Sequence, residues 1–309
     1  MTHPWEPDRN LTSDMATAVI RSSLPSLNAD GLTFLGSGWE FDTYLTNDGW
    51  VVRFPRRDEM ATHFEKERPV HELLEKYLPS DVAIPRVEFV GKPSAGFPYP
   101  VAAHRYIAGL PVDEVPSFWL QSLARQIGYV LASVHGIPEN AARLAGVVGA
   151  PPVSTAGDER GNWVENGVES LTRLGDPDPV VSQAIAWINR VSIPSGFDGP
   201  LRLIHQDLSP EHVLADPNTG RITGILDWTD VMLGDAARDF VFLAGWRGWS
   251  FVDDVLRHYP PVDSVFRDRL RFMARLLTPI WFAYANERGT EVEKMRSWVH
   301  NVYSDDVSP

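Results

Sequence analysis

The chain has 309 residues, with 28 Lys and Arg against 41 Asp and Glu, a net charge of −13. Hydrophobic residues make up 43 % and charged residues 22 %, a globular balance in a chain long enough to bury a full core in about two lobes. Cysteine is absent, which excludes disulfide frameworks, cysteine zinc sites, Fe–S clusters and a thiol nucleophile. The acidic balance argues against nucleic acid or an anionic membrane as partner.

Met1 to Asn10 carries no apolar stretch, and no run approaches the ~20 apolar residues of a membrane span. No signal peptide is therefore expected, and the chain reads as cytoplasmic. Met15 to Leu24 is patterned as a short amphipathic helix. Leu32–Leu35, Thr43–Thr46 and Trp50–Phe54 read as strands, with Asn47-Asp48-Gly49 as a hairpin turn. Asp58 to Tyr77 has Phe64, Val70, Leu73, Leu74 and Tyr77 at helical spacing, and Pro79 and Pro85 end it. Val87–Val90 and Val101–Ile107 read as two more strands. Ser117 to His135 is a long helix with Leu120, Leu123, Ile127, Val130, Leu131 and Val134 on one face. Asn140 to Gly161, rich in Gly, Ala and Pro, reads as loop. Val180 to Val191 is helical. Leu201–Ile204, Val213–Ala215 and Ile222–Leu226 are short β segments. From Ala236 onward the pattern is helical, broken at Gly248, Pro260-Pro261 and Gly289.

This order predicts an α+β chain. Residues 1–105 form a β-rich N-lobe, residues 106–109 a hinge, and residues 110–309 a mainly helical C-lobe.

The segment richest in chemistry is Ile204-His205-Gln206-Asp207-Leu208-Ser209-Pro210-Glu211-His212, followed by Gly224-Ile225-Leu226-Asp227-Trp228. A tight Ser-Pro turn lets Asp207 and His212 face one pocket, and Asp227, ending the next strand, can face the same point. A carboxylate that takes a hydroxyl proton, with Asp and His ligands for a divalent ion, is what phosphoryl transfer from a nucleotide requires. Taken singly, each of these residues has a plain structural alternative as a cap, a turn residue or a locally bonded imidazole. Their joint spacing is what points to a site.

His205-x-Asp207-x-x-x-x-His212 and Ile225-Leu226-Asp227-Trp228, with Gly234-Asp235 and Asp239-Phe240 beyond, resemble the aminoglycoside phosphotransferase family of small-molecule kinases. The resemblance implies a protein-kinase-like two-lobe fold. It implies Asp207 as the catalytic residue, His212 and Asp227 as ligands of Mg²⁺, and ATP or GTP as phosphate donor. His212 stands where most members have Asn; the macrolide and 2″-aminoglycoside enzymes of the family also have His there. His205 is implied to support the loop, and Asp235 and Asp239 to fix it by hydrogen bonds to backbone amides.

The N-lobe carries weaker signals. Gly36, Ser37 and Gly38, between two predicted strands, form a turn whose amides can approach phosphates, although a hairpin turn alone would have the same pattern. Arg53 aligns with the strand position where the family has a nucleotide-binding Lys. Glu67 is its expected partner, with Glu65 and Glu72 as rivals. Arg56 and Arg57 read as a solvated strand end. Tyr106 and Ile107 match the hinge that offers backbone groups to a base.

The acceptor is read from two features. Residues 158–178 hold Asp158, Glu159, Glu165, Glu169, Asp176 and Asp178 against Arg160 and Arg173. Such a flap suits a polycation, although a charge run is commonly a solvated face. Trp246, with Trp249, Trp281, Phe282 and Tyr284, suits a broad apolar ligand, with helix packing as the plain alternative. Glu165, Glu169, Asp230 and Trp246 are the candidate substrate residues. The expected activity is phosphorylation of a hydroxyl on a small molecule, with an aminoglycoside resistance kinase first and a macrolide 2′-phosphotransferase second. A metabolic small-alcohol kinase and a non-catalytic nucleotide-binding pseudokinase are the remaining readings. A monomer is expected.

Overall fold

A computed structural model describes residues 6–58, 60, 63–94, 96–149, 157–158, 161–192 and 199–303. Helix α1 (Ser13–Ser23) starts where the Thr12 side chain accepts from the Met15 amide, an N-cap that satisfies one of the first free N–H groups. Strands β1 (Thr33–Ser37), β2 (Phe41–Leu45) and β3 (Trp50–Pro55) form a meander, and α2 (His63–Leu74) follows. β4 (Phe89–Gly91) and β5 (Val101–Arg105) complete an antiparallel sheet in the order β1-β2-β3-β5-β4. β3 is central and buried along its whole length, which explains a run that is apolar at every position but Arg53.

After residues 106–109 comes the two-residue strand β6 (Leu110–Pro111). Helix α3 (Leu120–His135) buries Leu123, Ile127, Val130, Leu131 and Val134 on one side, at the spacing of a single helical stripe. Then follow α4 (Glu139–Leu144), the hairpin β7 (Gly157–Asp158) and β8 (Gly161–Asn162), α5 (Trp163–Leu174) and α6 (Pro179–Ile188). β9 (Arg202–Ile204), β10 (Val213–Ala215), β11 (Ile222–Ile225) and β12 (Met232–Gly234) carry the segments rich in chemistry. β10 is flanked by β11 and β6, while β9 pairs with β12. Helices α7 (Val241–Leu256), α8 (Ser264–Arg288) and α9 (Val292–Tyr303) close the lobe. Gly248 interrupts α7 at φ 75°, and Gly289 ends α8 at φ 68°, backbone regions that suit glycine.

Some expectations are corrected. The stretch 140–161 is not all loop: α4 begins at Glu139, and its one buried side chain, Ala142, gives no periodic signal. α5 was not separable from a loop by charge alone. Helix α2 is shorter than the 58–77 span, starting at His63 and ending at Leu74. Glu159 and Arg160 lie outside the described residues.

The cores do not divide at the hinge. Tyr44, Trp50, Val52, Phe54, Phe97 and Val101 pack with α1 on one side of the sheet. On α2, Phe64 joins Phe41, Val87 and Ala102 against the sheet. Val70, Leu73 and Leu74 of the same helix belong instead to the large core of the helical lobe, with Leu123, Ile127, Leu208 and Trp228. The chain after α2 is also tied to that lobe. The Ala83 amide donates to the Thr223 carbonyl at 2.9 Å, and the Ile225 amide donates to the Ala83 carbonyl at 2.9 Å.

Candidate active site

The loop between β9 and β10 is held from beneath. Asp239, fully buried, accepts from the amides of His205 at 2.9 Å and Gln206 at 2.8 Å. Its Oδ2 also meets His135 Nε2 at 2.9 Å, and His135 Nδ1 meets the Tyr259 hydroxyl at 2.8 Å. These bonds fix a loop whose Gln206 has φ 71°, a left-handed conformation that costs energy in a residue other than glycine. His205 is buried, and burial lowers its pKa. Its Nε2 donates to the Leu226 carbonyl at 2.8 Å, and its ring lies 4.5 Å from that of Trp228. That bond joins the loop to the strand end that carries Asp227. Asp235 caps the Ala237 amide at 3.1 Å and pairs with Arg269 at 2.6 Å.

Asp207, His212 and Asp227 converge. Each offers one ligand atom, and these atoms lie within 4.8 Å of one another. His212 Nδ1 donates to the Asp207 backbone carbonyl at 2.7 Å, which turns Nε2 towards Asp227 Oδ2 at 3.7 Å. The side chains of Asp207 and Asp227 keep 35 % and 44 % of their surface open, and His212 only 17 %. Asp227 itself has φ 55°, and its carboxylate accepts from the Thr229 hydroxyl. Burial raises the Asp207 pKa to about 6, helped by the charges of Asp230 and Asp227 and opposed by His212. For His212, burial works against the charged ring, but Asp207 and Asp227 outweigh it and raise the pKa to about 9. Burial also works to raise the Asp227 pKa, but His212 and Thr229 outweigh it and the net shift is downward.

Arg53 on β3 and Glu67 on α2 form a second charged group, on the N-terminal side of the hinge. Their side chains are 9 % and 5 % exposed, and they pair bidentately, Nη1 to Oε1 at 3.2 Å and Nη2 to Oε2 at 2.5 Å. Of the glutamates considered, Glu67 is the partner. Phe41 and Phe64 lie 5.1 and 5.0 Å from the guanidinium. Its charge is among the causes that lower the Asp227 pKa, so the guanidinium acts electrostatically on the acidic cluster.

Gly36 and Ser37 end β1, and Gly38 opens the turn into β2. A Cβ on Gly36 would meet no atom within 4 Å, so open space lies beside the backbone there. Arg56 is not solvated as the sequence suggested: it donates to the Gly38 carbonyl and lies 3.7 Å from Asp42, bracing the turn. The hinge differs in one detail. The Tyr106 amide is already spent on the Gly49 carbonyl at 3.0 Å, which leaves its carbonyl as the group to offer. The Ile107 side chain packs against Gly224.

The substrate candidates separate. Asp230 is half-buried, and its charge acts on Asp207. Glu165 and Glu169 lie on the exposed side of α5, while Gly167 and Ser170 face α8. Trp246 is buried against Phe251 with Arg247 over its ring, so it belongs to the core and not to an open pocket. Arg238, not among the expected site residues, is half-buried, and its charge acts on Asp207. Nothing in its sequence context separates it from a surface arginine.

A two-lobed fold with an antiparallel sheet, a helical lobe and a carboxylate–imidazole cleft between them defines a kinase-like phosphotransferase. Residues 31–278 match the model of the phosphotransferase enzyme family known as APH. The chain belongs to that family. It is 28 % identical over 251 residues to the uncharacterized protein YcbJ of Bacillus subtilis, covering 78 % of this chain and 76 % of that protein. It is 24 % identical over 213 residues to the hygromycin-B 4-O-kinase of Escherichia coli, covering 65 % of this chain and 57 % of that kinase. Its fold is similar to that of APH(2″)-IIIa, solved as a GDP and kanamycin complex, with a TM-score of 0.69, 21 % identity, and 94 % and 99 % of the two chains covered. The macrolide 2′-phosphotransferase MphH of Brachybacterium faecium gives a TM-score of 0.57 at 22 % identity, with 89 % and 93 % covered. Among the described residues no helix is long and apolar enough to cross a membrane.

Proposed function

We propose that this phosphotransferase moves a phosphoryl group from ATP or GTP to a hydroxyl of a small molecule, with an aminoglycoside as the first candidate acceptor. The observation that carries the reading is the convergence of Asp207, His212 and Asp227 within 4.8 Å, with a buried Arg53–Glu67 pair beside it as support. Asp207 orients the acceptor hydroxyl and takes its proton, a role suited to a carboxyl whose pKa is about 6. Arg53 keeps one further N–H on each terminal nitrogen for phosphate oxygens, and Glu67 fixes its plane. The open space at Gly36 leaves room for phosphate beside backbone amides.

His212 and Asp227 fit a divalent ion such as Mg²⁺. The Asp207 carbonyl takes Nδ1, leaving Nε2 to face the Asp227 carboxylate. A bound Mg²⁺ would supply charge neutralisation to the phosphate oxygens. The kanamycin complex and the hygromycin kinase among the relatives support an aminoglycoside acceptor, and exposed Glu165 and Glu169 would face its amines. A macrolide is favoured by one observation, the partly open Trp281 and Tyr284 on α8.

The test is incubation of the purified chain with Mg²⁺ and ATP or GTP against a panel of aminoglycosides and macrolides, read by mass spectrometry for an added phosphate. Asp207→Ala is expected to abolish turnover and to keep nucleotide binding. Turnover that survives this substitution removes Asp207 from its role. No product from any antibiotic moves the acceptor to a metabolic alcohol.

A further inference from the structure

The glycine turn after β1 is braced as one piece with its two strands. The Gly38 amide donates to the Phe41 carbonyl at 2.9 Å, and the Thr43 hydroxyl donates to the Gly36 carbonyl at 3.1 Å. The Ser37 hydroxyl donates to the Asp42 carboxylate, and the Arg56 guanidinium to the Gly38 carbonyl. The Arg56 amide donates to the Glu40 carbonyl at 2.8 Å. A turn bonded this way changes place only together with its strands.

Trp39 stands at the tip of this turn. Ser37 and Gly38 before it are exposed, whereas Trp39 is half-buried. Its ring meets two residues of the helical lobe. Tyr284 lies edge-on, with 6.5 Å between ring centroids and 82° between planes, and the Arg288 guanidinium lies 5.5 Å from the Trp39 centroid. Tyr284 and Arg288 are one turn apart on the same face of α8. Tyr284 is held from behind. A Cβ on Gly167 of α5 would come within 2.4 Å of Ile280 and 3.3 Å of Tyr284, so the α5 backbone lies directly against that ridge. Arg288 is exposed and, among the described residues, forms no ion pair; it lies on the Trp39 ring.

The place of this contact in the sheet matters. In the order β1-β2-β3-β5-β4, the hinge leaves from β5, and Ala83, which bonds to Thr223 and Ile225, precedes β4. Those links join the lobes at one edge of the sheet. Trp39 lies between β1 and β2, at the other edge. β3, which carries Arg53, runs between the two fastenings.

We propose that Trp39 is a positioning residue for the nucleotide phosphates, clasped by Tyr284 and Arg288 so that the glycine turn stays down against the helical lobe. The inference rests on the phosphotransferase reading and adds to it a second fastening of the phosphate side. Without the clasp the hinge edge alone holds the sheet, and the β1–β2 edge lifts, taking the amides of Gly36, Ser37 and Gly38 with it. A base at the hinge is untouched by that movement, whereas a triphosphate loses its backbone donors. An edge-on aromatic pair and an exposed cation on a ring together shift a closing equilibrium by roughly 5–50-fold.

The experiment uses the full chain with Mg²⁺ and needs no acceptor. Calorimetric titration compares ATP or GTP with the matching nucleoside on the native chain, W39A, W39F and R288Q. In W39A the triphosphate is expected to bind at least about fivefold more weakly, with the nucleoside changed by less than about twofold. W39F keeps a ring for both partners and should stay within about twofold of native, and R288Q should weaken the triphosphate about two- to threefold. Thermal midpoints identify a variant that fails to fold, and R288Q, at an exposed position, carries the test in that event. The chain has no cysteine, so L35C with T290C, both exposed, places two spin labels without background. Their distance distribution is expected to be narrow in the native background and broader and longer with W39A. Equal losses for triphosphate and nucleoside, a triphosphate affinity unmoved in W39A or R288Q, or an unchanged distance distribution in W39A overturns the proposal. A native chain that binds neither ATP nor GTP overturns the phosphotransferase reading itself, and this proposal falls with it.

Discussion

Replacing Glu67 with Ala strips a buried guanidinium of its bidentate partner. Arg53 is 9 % exposed and its Nε already lacks a hydrogen bond, so water cannot restore what is lost. Breaking a buried pair from one side costs about 3–5 kcal/mol, because the remaining charge stays desolvated. For a chain of 309 residues that is a fall of roughly 5–8 °C in melting temperature. Replacing both partners, as R53M with E67L, is expected to recover most of the stability, since apolar groups fit between Phe41 and Phe64. Nucleotide affinity is not expected to recover. Urea unfolding followed by circular dichroism measures the first quantity, and fluorescence titration with a labelled nucleotide the second. A loss below about 0.5 kcal/mol in E67A, the size of an exposed pair, would refute the argument from burial. Recovery of nucleotide affinity in the apolar double variant would remove Arg53 from the phosphate site.

Three further outcomes are expected. His212→Asn keeps an acceptor atom facing Asp227 and should retain turnover, whereas His212→Ala should raise the Mg²⁺ needed for half-maximal rate about 10–100-fold; equal behaviour of the two variants counts against a metal role. Asp239→Asn sets an amide donor against the donors around it, so kcat should fall at least about tenfold and stability by about 3–5 kcal/mol, and kinetics at native levels would show that the loop holds Gln206 unaided. His71 and His104 are buried, burial lowers each pKa from 6.5 to about 3, and the unfolded chain takes up protons that the folded chain refuses. Stability is therefore full above about pH 6.5 and falls towards pH 3 by as much as ~1.4 kcal/mol per pH unit for each histidine, a slope that His71→Leu should lessen in acid-unfolding curves.

Elements that answer to a neighbour along the chain were legible before the structure. α3 and β3 announce themselves by apolar spacing, and the breaks at Gly248 and Gly289 fall where positive φ is needed. β6 and β12 have too few residues for any period, and they exist because β10 and β9 supply partners distant in sequence. The loop 205–212 and Asp227 were legible because their chemistry is set by spacing. Glu67 was selectable by resemblance alone, as the Glu of a Glu-Arg pair before an apolar stripe, and it is the buried pairing with Arg53 that separates it from Glu65 and Glu72. Arg56 and Arg238 were not legible, since one works through the Gly38 carbonyl and the other through rings on α7 and α8. Trp246 shows the converse error: an aromatic residue on a helix announces burial, and which side of the helix is buried depends on its neighbours.

Helix α2 belongs to two bodies at once. Phe64 is held by the sheet, while Val70, Leu73 and Leu74 are built into the helical lobe. Glu67 lies between those anchors, so its bond to Arg53 works as a tie rod between the halves. Swinging the sheet away from the helical lobe loads that bond, and a ligand that steadies Arg53 resists the swing. On the proposed role of Arg53, nucleotide affinity and the placing of the sheet against the helical lobe would share a single coupling free energy, felt equally from either end.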